Sequence, residues 1–457
     1  MEKTVYDRRI LAHIVFEAAT PLSIGSGNEN PMTDSVLLTD ASGLPYIPGT
    51  TIAGLLRHSL ADSSFFGEQG EEGFGSEIIF TEAKILDLDS TVCEAYTRNT
   101  VSSDLKSQLD NLPVRNHVRI GHTGTGVDKG KYDEQILFKG ARFCFDMDMI
   151  VSSDEDAENF EKVLDALRSP YFRVGGGSRS GFGKIKIVKM LTKVLDLKIA
   201  EDLREYLDIS PRLDKDYAGW KEESPSESAD GGSWVKYELK LVPDDFFQFG
   251  SGKASNEADM TPVTENYISW AGNIGTFKEA KVFIPATSVK GALAHRTAYY
   301  FNKKSKVYSD KIYIEDFNRH TGSGNPAVRA IFGAEKILAD KELSENQKAA
   351  LQPSRGKAIF SDVYSDNGVR KLLNHVKIDR FTGGTIDGAL FTEEVTDTAE
   401  TFRMEIFLSK DIDGQYVECF ESALKDIAGG FLPLGGGAGR GHGFFTGKIY
   451  KDGAELK

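Results

Sequence analysis

Apolar and polar residues alternate along positions 9–17 (Arg-Ile-Leu-Ala-His-Ile-Val-Phe-Glu) and again along 235–242 (Val-Lys-Tyr-Glu-Leu-Lys-Leu-Val). A period of two predicts a strand with one face buried. A Gly-rich turn follows each run, Gly25-Ser-Gly27 and Gly250-Ser-Gly252. Thr50 and Thr287 then precede apolar positions at helical spacing: Ile52, Leu55 and Leu56 in one case, Val289 and Leu293 in the other. A threonine in that place is a candidate N-cap. Runs 141–150 and 401–408 predict further strands, and 157–167 and 418–427 a second helix in each half. A Gly-rich loop and a last strand close both halves. Strand–helix–strand followed by strand–helix–strand is the order of a ferredoxin-like α+β sandwich.

The chain also repeats itself in detail. Ile47-Pro-Gly-Thr-Thr-Ile-Ala-Gly54 returns as Ile284-Pro-Ala-Thr-Ser-Val-Lys-Gly291. Asn116-His-Val-Arg-Ile120 returns as Asn374-His-Val-Lys-Ile378. Gly175-Gly-Gly-Ser-Arg-Ser-Gly-Phe-Gly183 returns as Gly435-Gly-Gly-Ala-Gly-Arg-Gly-His-Gly443. Three blocks in one order mark two copies of one domain. The expected division is a first domain at 1–196, a linker at 197–233 and a second domain at 234–457. The second copy has more residues between its first and second blocks, which places an insertion near 299–352. The linker opens as a helix and turns polar (Glu-Ser-Pro-Ser-Glu-Ser-Ala-Asp-Gly-Gly), a composition expected to order poorly.

Composition narrows the function classes. With 40% hydrophobic and 27% charged residues in 457, this is ordinary globular material, long enough for two cores. The 46 glycines are clustered, so they belong to particular loops. A net charge of −14 argues against a polyanion partner when taken alone. The charge is segregated, however. Acids gather at 62–72, 154–161 and 222–230, and bases at 115–119, 168–189, 303–311 and 370–380. Three cysteines without a CxxC pair point to a reducing compartment and no zinc site. No stretch of about eighteen apolar residues predicts a membrane span, and the first residues carry no apolar leader, so the cytoplasm is the expected location.

The triple-glycine loops bring the backbone close to a ligand and can aim N–H groups at an anion. Gly175, Gly176 and Gly177 share their loop with Arg179; Gly435, Gly436 and Gly437 share theirs with Arg440. Each arginine can fork onto a phosphate. The Gly-Lys-Ser/Thr ending of a nucleotide-hydrolysing loop is absent. The helix starts at the Ile-Pro blocks offer a second anion site, with Arg57, Lys290 and Arg296 nearby. The Asn-His-Val blocks open long excursions rich in Thr and Gly, which predict projecting hairpins. They carry His117 and Arg119 in one copy and His375, Lys377 and Arg380 in the other. Both histidines are candidate bases, although a histidine bonded within a strand or contacting RNA is the plainer reading. Each Gly-Ser-Gly turn leads to a loop aspartate, Asp34 or Asp259. A loop carboxylate can be merely solvated, or can hold Mg²⁺ that keeps its waters and binds a substrate phosphate.

These blocks together resemble the RAMP superfamily, and more narrowly the "Cas seven" backbone subunits of type III CRISPR–Cas effector complexes. The likeness covers both halves apart from the linker and the 299–352 insertion, and two fused copies resemble III-D-like backbone subunits. It implies two modified ferredoxin-like (RRM-like) domains that stack along a guide RNA, each with a projecting hairpin, the thumb. It implies guide crRNA, complementary target RNA and other effector subunits as partners: a "Cas ten"-type large subunit, further RAMP subunits and small subunits. It also implies Mg²⁺-dependent cleavage of the target opposite each thumb by the loop aspartate. Asp34-Ser-Val-Leu ahead of Leu44-Pro-Tyr-Ile-Pro-Gly49 fits the family's context for that residue; Asp259 fits less well, because a longer loop separates it from Ile284. The family's Lys in the first helix is kept as Lys290 and is Ala53 in the first copy. Its Arg is kept as Arg57, with Ala294 in the second copy and Arg296 nearby. Such a sheet, with its helices on one face, leaves the other face for RNA. Three alternatives stay open: a scaffold without catalysis, a guide-processing endoribonuclease, and a tandem sheet protein with other ligands.

Overall fold

The computed structural model describes residues 8–457 except 30, 32, 61–63, 69–72, 95–100, 229–231 and 335–352. Part of the acidic stretch at 62–72 and the end of the 299–352 insertion lie outside the described residues.

Each half is the expected α+β unit. In the first, strands Ala83–Ile85, Arg142–Val151, Arg8–Ala18 and Ile185–Asp196 lie side by side in that order, all antiparallel. In the second, Ala358–Ile359, Phe402–Ser409, Trp234–Pro243 and Phe445–Lys451 do the same. In chain order both read 2-3-1-4, the ferredoxin-like arrangement. Helices Gly49–Ser59 and Asp154–Arg168 cover one face of the first sheet; Ala286–Lys304 and Gly414–Ala428 pack against each other in the second repeat. Two hydrophobic cores result, one around Ile14, Phe16, Phe143 and Phe160, the other around Leu239, Leu241, Phe402 and Phe420.

The hairpins project as predicted, Val114–Ile120 with Gly126–Gln135 and Val369–Ile378 with Thr385–Asp397. The insertion is a longer first helix, reaching Lys304, followed by short helices Phe317–Thr321 and Pro326–Phe332.

The linker departs from expectation. It lies across the outer face of the first sheet. Helix Ala200–Asp208 sets Tyr206 over Arg9 and bonds its hydroxyl to Asp148 at 2.8 Å. Tyr217 packs on the His13 ring at 4.0 Å. Asp146 accepts from Tyr217 Oη at 3.1 Å, lies 2.7 Å from His13 Nδ1 and pairs with Lys215. Leu213 fills a small cluster with Leu86 and Cys144, and Lys221–Glu222 adds an edge strand to Ile185–Asp196. The helix expected at the linker's start is present, and aromatic and apolar anchors hold the chain up to Glu222; the polar run expected to order poorly lies partly outside the described residues. The consequence corrects the expectation of an open sheet: the outer face of the first repeat is covered by its own chain.

A second departure joins the repeats. Residues 266–281 were expected to be a loop, and they fall within a β-hairpin, Thr264–Ala271 with Ile274–Ile284, turned tightly at Gly272 and Asn273. Gly272 sits at φ +63°, the left-handed region such a two-residue turn needs. This docking hairpin lies on the first repeat. Ile268 is 3% exposed, inside the first core, and its N–H donates to the Lys139 carbonyl at 2.9 Å. Trp270 Nε1 donates to the Gly140 carbonyl at 2.7 Å, under the Arg142 guanidinium at 3.8 Å. Gly140, at φ +87°, permits this: a Cβ there would sit 2.1 Å from the Ile268 carbonyl oxygen.

Arg115, at the base of the first thumb, closes the junction. It is 7% exposed. Nε and Nη2 fork onto Glu265 at 2.5 and 2.8 Å, and Nη1 reaches Asp362 at 2.7 Å, both in the second repeat. The guanidinium lies between the rings of Phe182 and Phe283, at 4.8 and 4.5 Å. Burial alone would pull the guanidinium down; Asp362 and then Glu265 outweigh it and hold Arg115 well above its ordinary value. Arg115→Met keeps bulk and leaves two buried carboxylates without a counter-charge. It is expected to cost about 3–5 kcal/mol, read as a lower urea midpoint; an unchanged midpoint would overturn the role given to Arg115.

Candidate nucleic-acid interface

The two loop aspartates occupy equivalent places. Asp34 Oδ2 accepts from the Asp133 N–H at 3.0 Å, and the Asp34 N–H donates to Asp133 Oδ1 at 2.9 Å. Asp259 Oδ2 accepts from the Thr392 N–H at 2.8 Å, and the Asp259 N–H donates to the Thr392 carbonyl at 2.8 Å. One residue on, Ser35 bridges Glu134 and Met260 bridges Glu393, both parallel. Each aspartate is therefore strapped to the returning strand of its thumb, exposed at the thumb's base. The long insert before Ile284 leaves the chain after Asp259 and does not displace it.

The repeats differ beside that carboxylate. Asp133 gives the first a second acid. The second repeat has Thr392, whose hydroxyl donates to Asn374 Oδ1 at 2.7 Å. Mg²⁺ takes one or two carboxylates and keeps several waters. Asp34 with Asp133 suits that demand, and Asp259 meets it with a single carboxylate. Among the described residues no group of three or more His, Cys, Asp and Glu forms a metal cage.

Beneath each aspartate lies a histidine–glutamate pair. His117 is buried, its Nε2 2.9 Å from Glu134 Oε1, its ring stacked on Tyr132 at 4.7 Å. His375 Nε2 lies 2.7 Å from Glu393 Oε1, its ring stacked on Phe391 at 4.8 Å. These contacts give both histidines structural work at the thumb's base. Glu393 is fully buried and also holds Arg440, at 2.5 and 3.1 Å, and His442. Burial pushes its carboxyl up; Arg440, then His442 and His375, outweigh that and hold it below the ordinary glutamate value. Glu134 behaves alike, burial being outweighed by His117 and Ser23.

The other expected contacts sort unevenly. Gly176 and Gly436 donate their N–H groups to the carbonyls of Ser23 and Gln248, at 2.6 and 2.8 Å. A Cβ on Gly175 or Gly435 would meet those same oxygens at 2.4 or 2.3 Å. Gly177 and Gly437 have left-handed φ, and a Cβ on either would strike Phe182 or His442. The glycines thus seat each loop against the segment leading to its aspartate, a packing demand that requires a residue without a Cβ at these positions. Arg440 is committed to Glu393, and Arg179 Nε donates to the Gly356 carbonyl across the junction at 2.9 Å. Arg296 pairs with Asp426 and lies against Tyr299 and Tyr300, so it holds the second repeat's helices together and does not replace Arg57. The helix caps are Pro48 and Pro285, with Thr50 and Thr287 inside the helices. Asp362 Oδ1 takes the Ala286 N–H at 2.8 Å, so a buried acid already occupies the second repeat's helix start. Arg57 is exposed in the last turn of its helix; Lys290 is half-buried. Arg119, Lys377 and Arg380 lie on the thumbs.

Sequence reasoning missed Arg115, Asp133, Glu134 and Glu393. For the glutamates a signal existed: each stands two residues after an aromatic residue on a strand facing the Asn-His-Val block. No helix among the described residues is long and apolar enough to cross a membrane.

A depressed carboxyl contributes stability that is present above its unfolded value and lost as pH falls through the folded one. Acidification below the ordinary value of 4.5 is therefore expected to loosen the second thumb's base. Glu393→Gln should flatten the acid limb of the thermal midpoint against pH; an acid limb as steep as wild type would refute the charge network.

Among known proteins, a family model described as the RAMP superfamily matches residues 15–186 and 274–446, one match in each repeat. No curated protein matches the chain.

Proposed function

Because the chain belongs to the RAMP superfamily in both halves, and is thereby a CRISPR-associated RNA-binding subunit, we propose that it is a double backbone subunit of a type III effector complex that cleaves guide-paired target RNA at two places. The observation that carries this reading is the equivalence of Asp34 and Asp259. Each is an exposed carboxylate fixed by one backbone N–H at the foot of a projecting hairpin. Two such carboxylates in a rigid pair suit two cuts at a set spacing.

The cut proposed is attack of a ribose 2′-oxygen on the adjacent phosphorus. The 2′-O–P bond forms, the P–O5′ bond breaks, the 2′ proton leaves and the departing 5′-oxygen gains one. The products are a 2′,3′-cyclic phosphate and a 5′-hydroxyl, so DNA is not a substrate. Mg²⁺ held by Asp34, with Asp133 beside it, would supply positive charge for the phosphate. The Asp133 N–H fixes one oxygen of Asp34 and thereby aims the other. The thumb holds the target strand away from regular stacking, which in-line attack requires. Arg57 and the thumb bases Arg119, Lys377 and Arg380 are the proposed RNA contacts, with Lys290 at the second repeat's first helix. Thr392 in the place of Asp133 makes the second cut the weaker one.

The test uses the assembled complex with guide RNA and a labelled complementary target. Asp34→Ala is expected to slow one cut by about 100-fold or more with target binding unchanged, and Asp259→Ala to remove the other. Chelation should stop both. If every product survives the double variant, the chain is a scaffold and the cutting residues lie in a neighbour. Cleavage that persists in chelator would point to the guide-processing type of enzyme.

A further inference from the structure

The two repeats meet front to back, so the front of the second repeat should resemble the front of the first, which is covered. The equivalence can be drawn residue by residue. The pairs Phe16–Phe143 and Leu241–Phe402 correspond, because Ala18 and Pro243 face Ile185 and Phe445, the second residues after Gly183 and Gly443. Counting back from Phe143 and Phe402, Gly140 corresponds to Ala399, Lys139 to Thr398 and Phe138 to Asp397. Lys84, facing Tyr46, corresponds to Tyr364, facing Phe283. In the first repeat the docking hairpin lies between the turn at 86–90 and the loop at 138–141. Gly275 donates to the Leu88 carbonyl at 2.7 Å, Ser90 Oγ to the Asn273 carbonyl at 2.8 Å, and Ile268 to Lys139. In the second repeat the same place is an open groove of about 480 Å³, lined by Asn367, Val369, Asp397, Thr398, Ala399 and Glu400.

We propose that this groove seats a β-hairpin from another subunit of the same fold, and that the subunit is not a second copy of this chain. The inference rests on the backbone-subunit reading above. Among the described residues a second copy has no free hairpin in the matching place, ahead of a first helix. Its docking hairpin is held by its own first repeat, and between Asp34 and Ile47 the first repeat has only a tight turn, where the Ser42 and Leu44 N–H groups bond Asp40. The chain therefore receives a neighbour at its second repeat and offers no docking hairpin of this kind at its first.

The groove also says what the neighbour brings. In the first repeat Lys139 and Arg142 grip Tyr267 and Trp270, cations on the groove and rings on the hairpin. In the second, Thr398 and Thr401 stand at those positions, and the groove carries Asp397 and Glu400. Asp397 pairs with Lys371 and Glu400 accepts from Ser365 Oγ at 2.8 Å, so the incoming hairpin does not depend on the ring-to-cation contacts that hold the internal one. Ala399 replaces Gly140 and does not adopt its left-handed backbone, so the incoming strand stands farther out than the Ile268 strand. Leu373 takes the place of Arg115, beside the exposed Leu372, so the centre of this contact is apolar where the internal one is ionic.

A photo-reactive phenylalanine placed at Val369, 60% exposed, in the full chain tests this in the complex isolated from its own cells. Mass spectrometry of the cross-linked peptides is expected to identify the hairpin before the first helix of a different RAMP-fold chain. Ala399→Arg should abolish that cross-link, and Leu207→Arg, on the exposed linker helix, should not. The purified chain alone should be monomeric by light scattering. A cross-link to this chain, to RNA alone or to a protein of another fold overturns the proposal, as does no cross-link or a self-associating chain. Loss of the cleavage reading would leave the cross-link unchanged, so the two failures are distinguishable.

Discussion

A single buried cation sets the geometry on which the rest of the molecule depends. Arg115 leaves the first thumb's opening strand and meets Glu265 and Asp362 of the second repeat between two aromatic rings. A desolvated guanidinium with two acids tolerates little displacement, because each lost contact leaves a charge in a medium that cannot screen it. The strand that carries Arg115 inward also carries His117, and its partner strand carries Asp133 and Glu134. The footing of the first thumb, and with it Asp34, is thus fixed to the second repeat. The second thumb has Leu373 in that place, and its internal anchor is the Glu393 network with His375, Arg440 and His442. The two thumbs share a design and differ in what holds them: one is tied to a neighbouring domain, the other to its own loop.

Much of this was legible from the chain. The tandem organisation followed from three repeated blocks, and the strand–helix order followed from periodicity. The loop aspartates were singled out by the family resemblance; their place after a Gly-Ser-Gly turn alone fits a merely solvated carboxylate. The junction could not be read, since Arg115, Glu265 and Asp362 are far apart in sequence and none stands in a repeated block. The docking hairpin did carry a signal, Gly272-Asn273 between Trp270 and Ile274, the short turn that joins two strands. Its role in joining the repeats carried none. The linker's seat on the first sheet was not legible, because mean composition says little about a segment with Tyr206, Leu213 and Tyr217 at well-placed intervals. The triple glycines were ambiguous for a different reason. Close packing and anion binding both require a residue without a Cβ, and sequence alone does not separate them.

The site shows how duplication permits divergence. Both repeats keep the strap from a backbone N–H to the loop carboxylate. They differ in the residue that donates it, Asp133 or Thr392, and so in the local negative charge available to a cation. The glycine loops keep their shape in both, while their arginines have parted: Arg179 crosses the junction and Arg440 turns back to Glu393. A repeated backbone constraint with unlike side-chain partners leaves two similar sites free to differ in strength.

The linker that lies on the first sheet has a further consequence. Joining two domains by a short tether turns their encounter into a unimolecular event, at an effective concentration in the millimolar range for short flexible connections. Here the tether is bound along most of its described length, so the slack between the domains is smaller still. The docking hairpin reaches its seat without competing against free subunits, and the ratio of the two repeats is one to one in every particle. The distance between Asp34 and Asp259 becomes a property of the polypeptide, fixed before any RNA arrives, and the chain can serve as a ruler against which a nucleic acid is aligned.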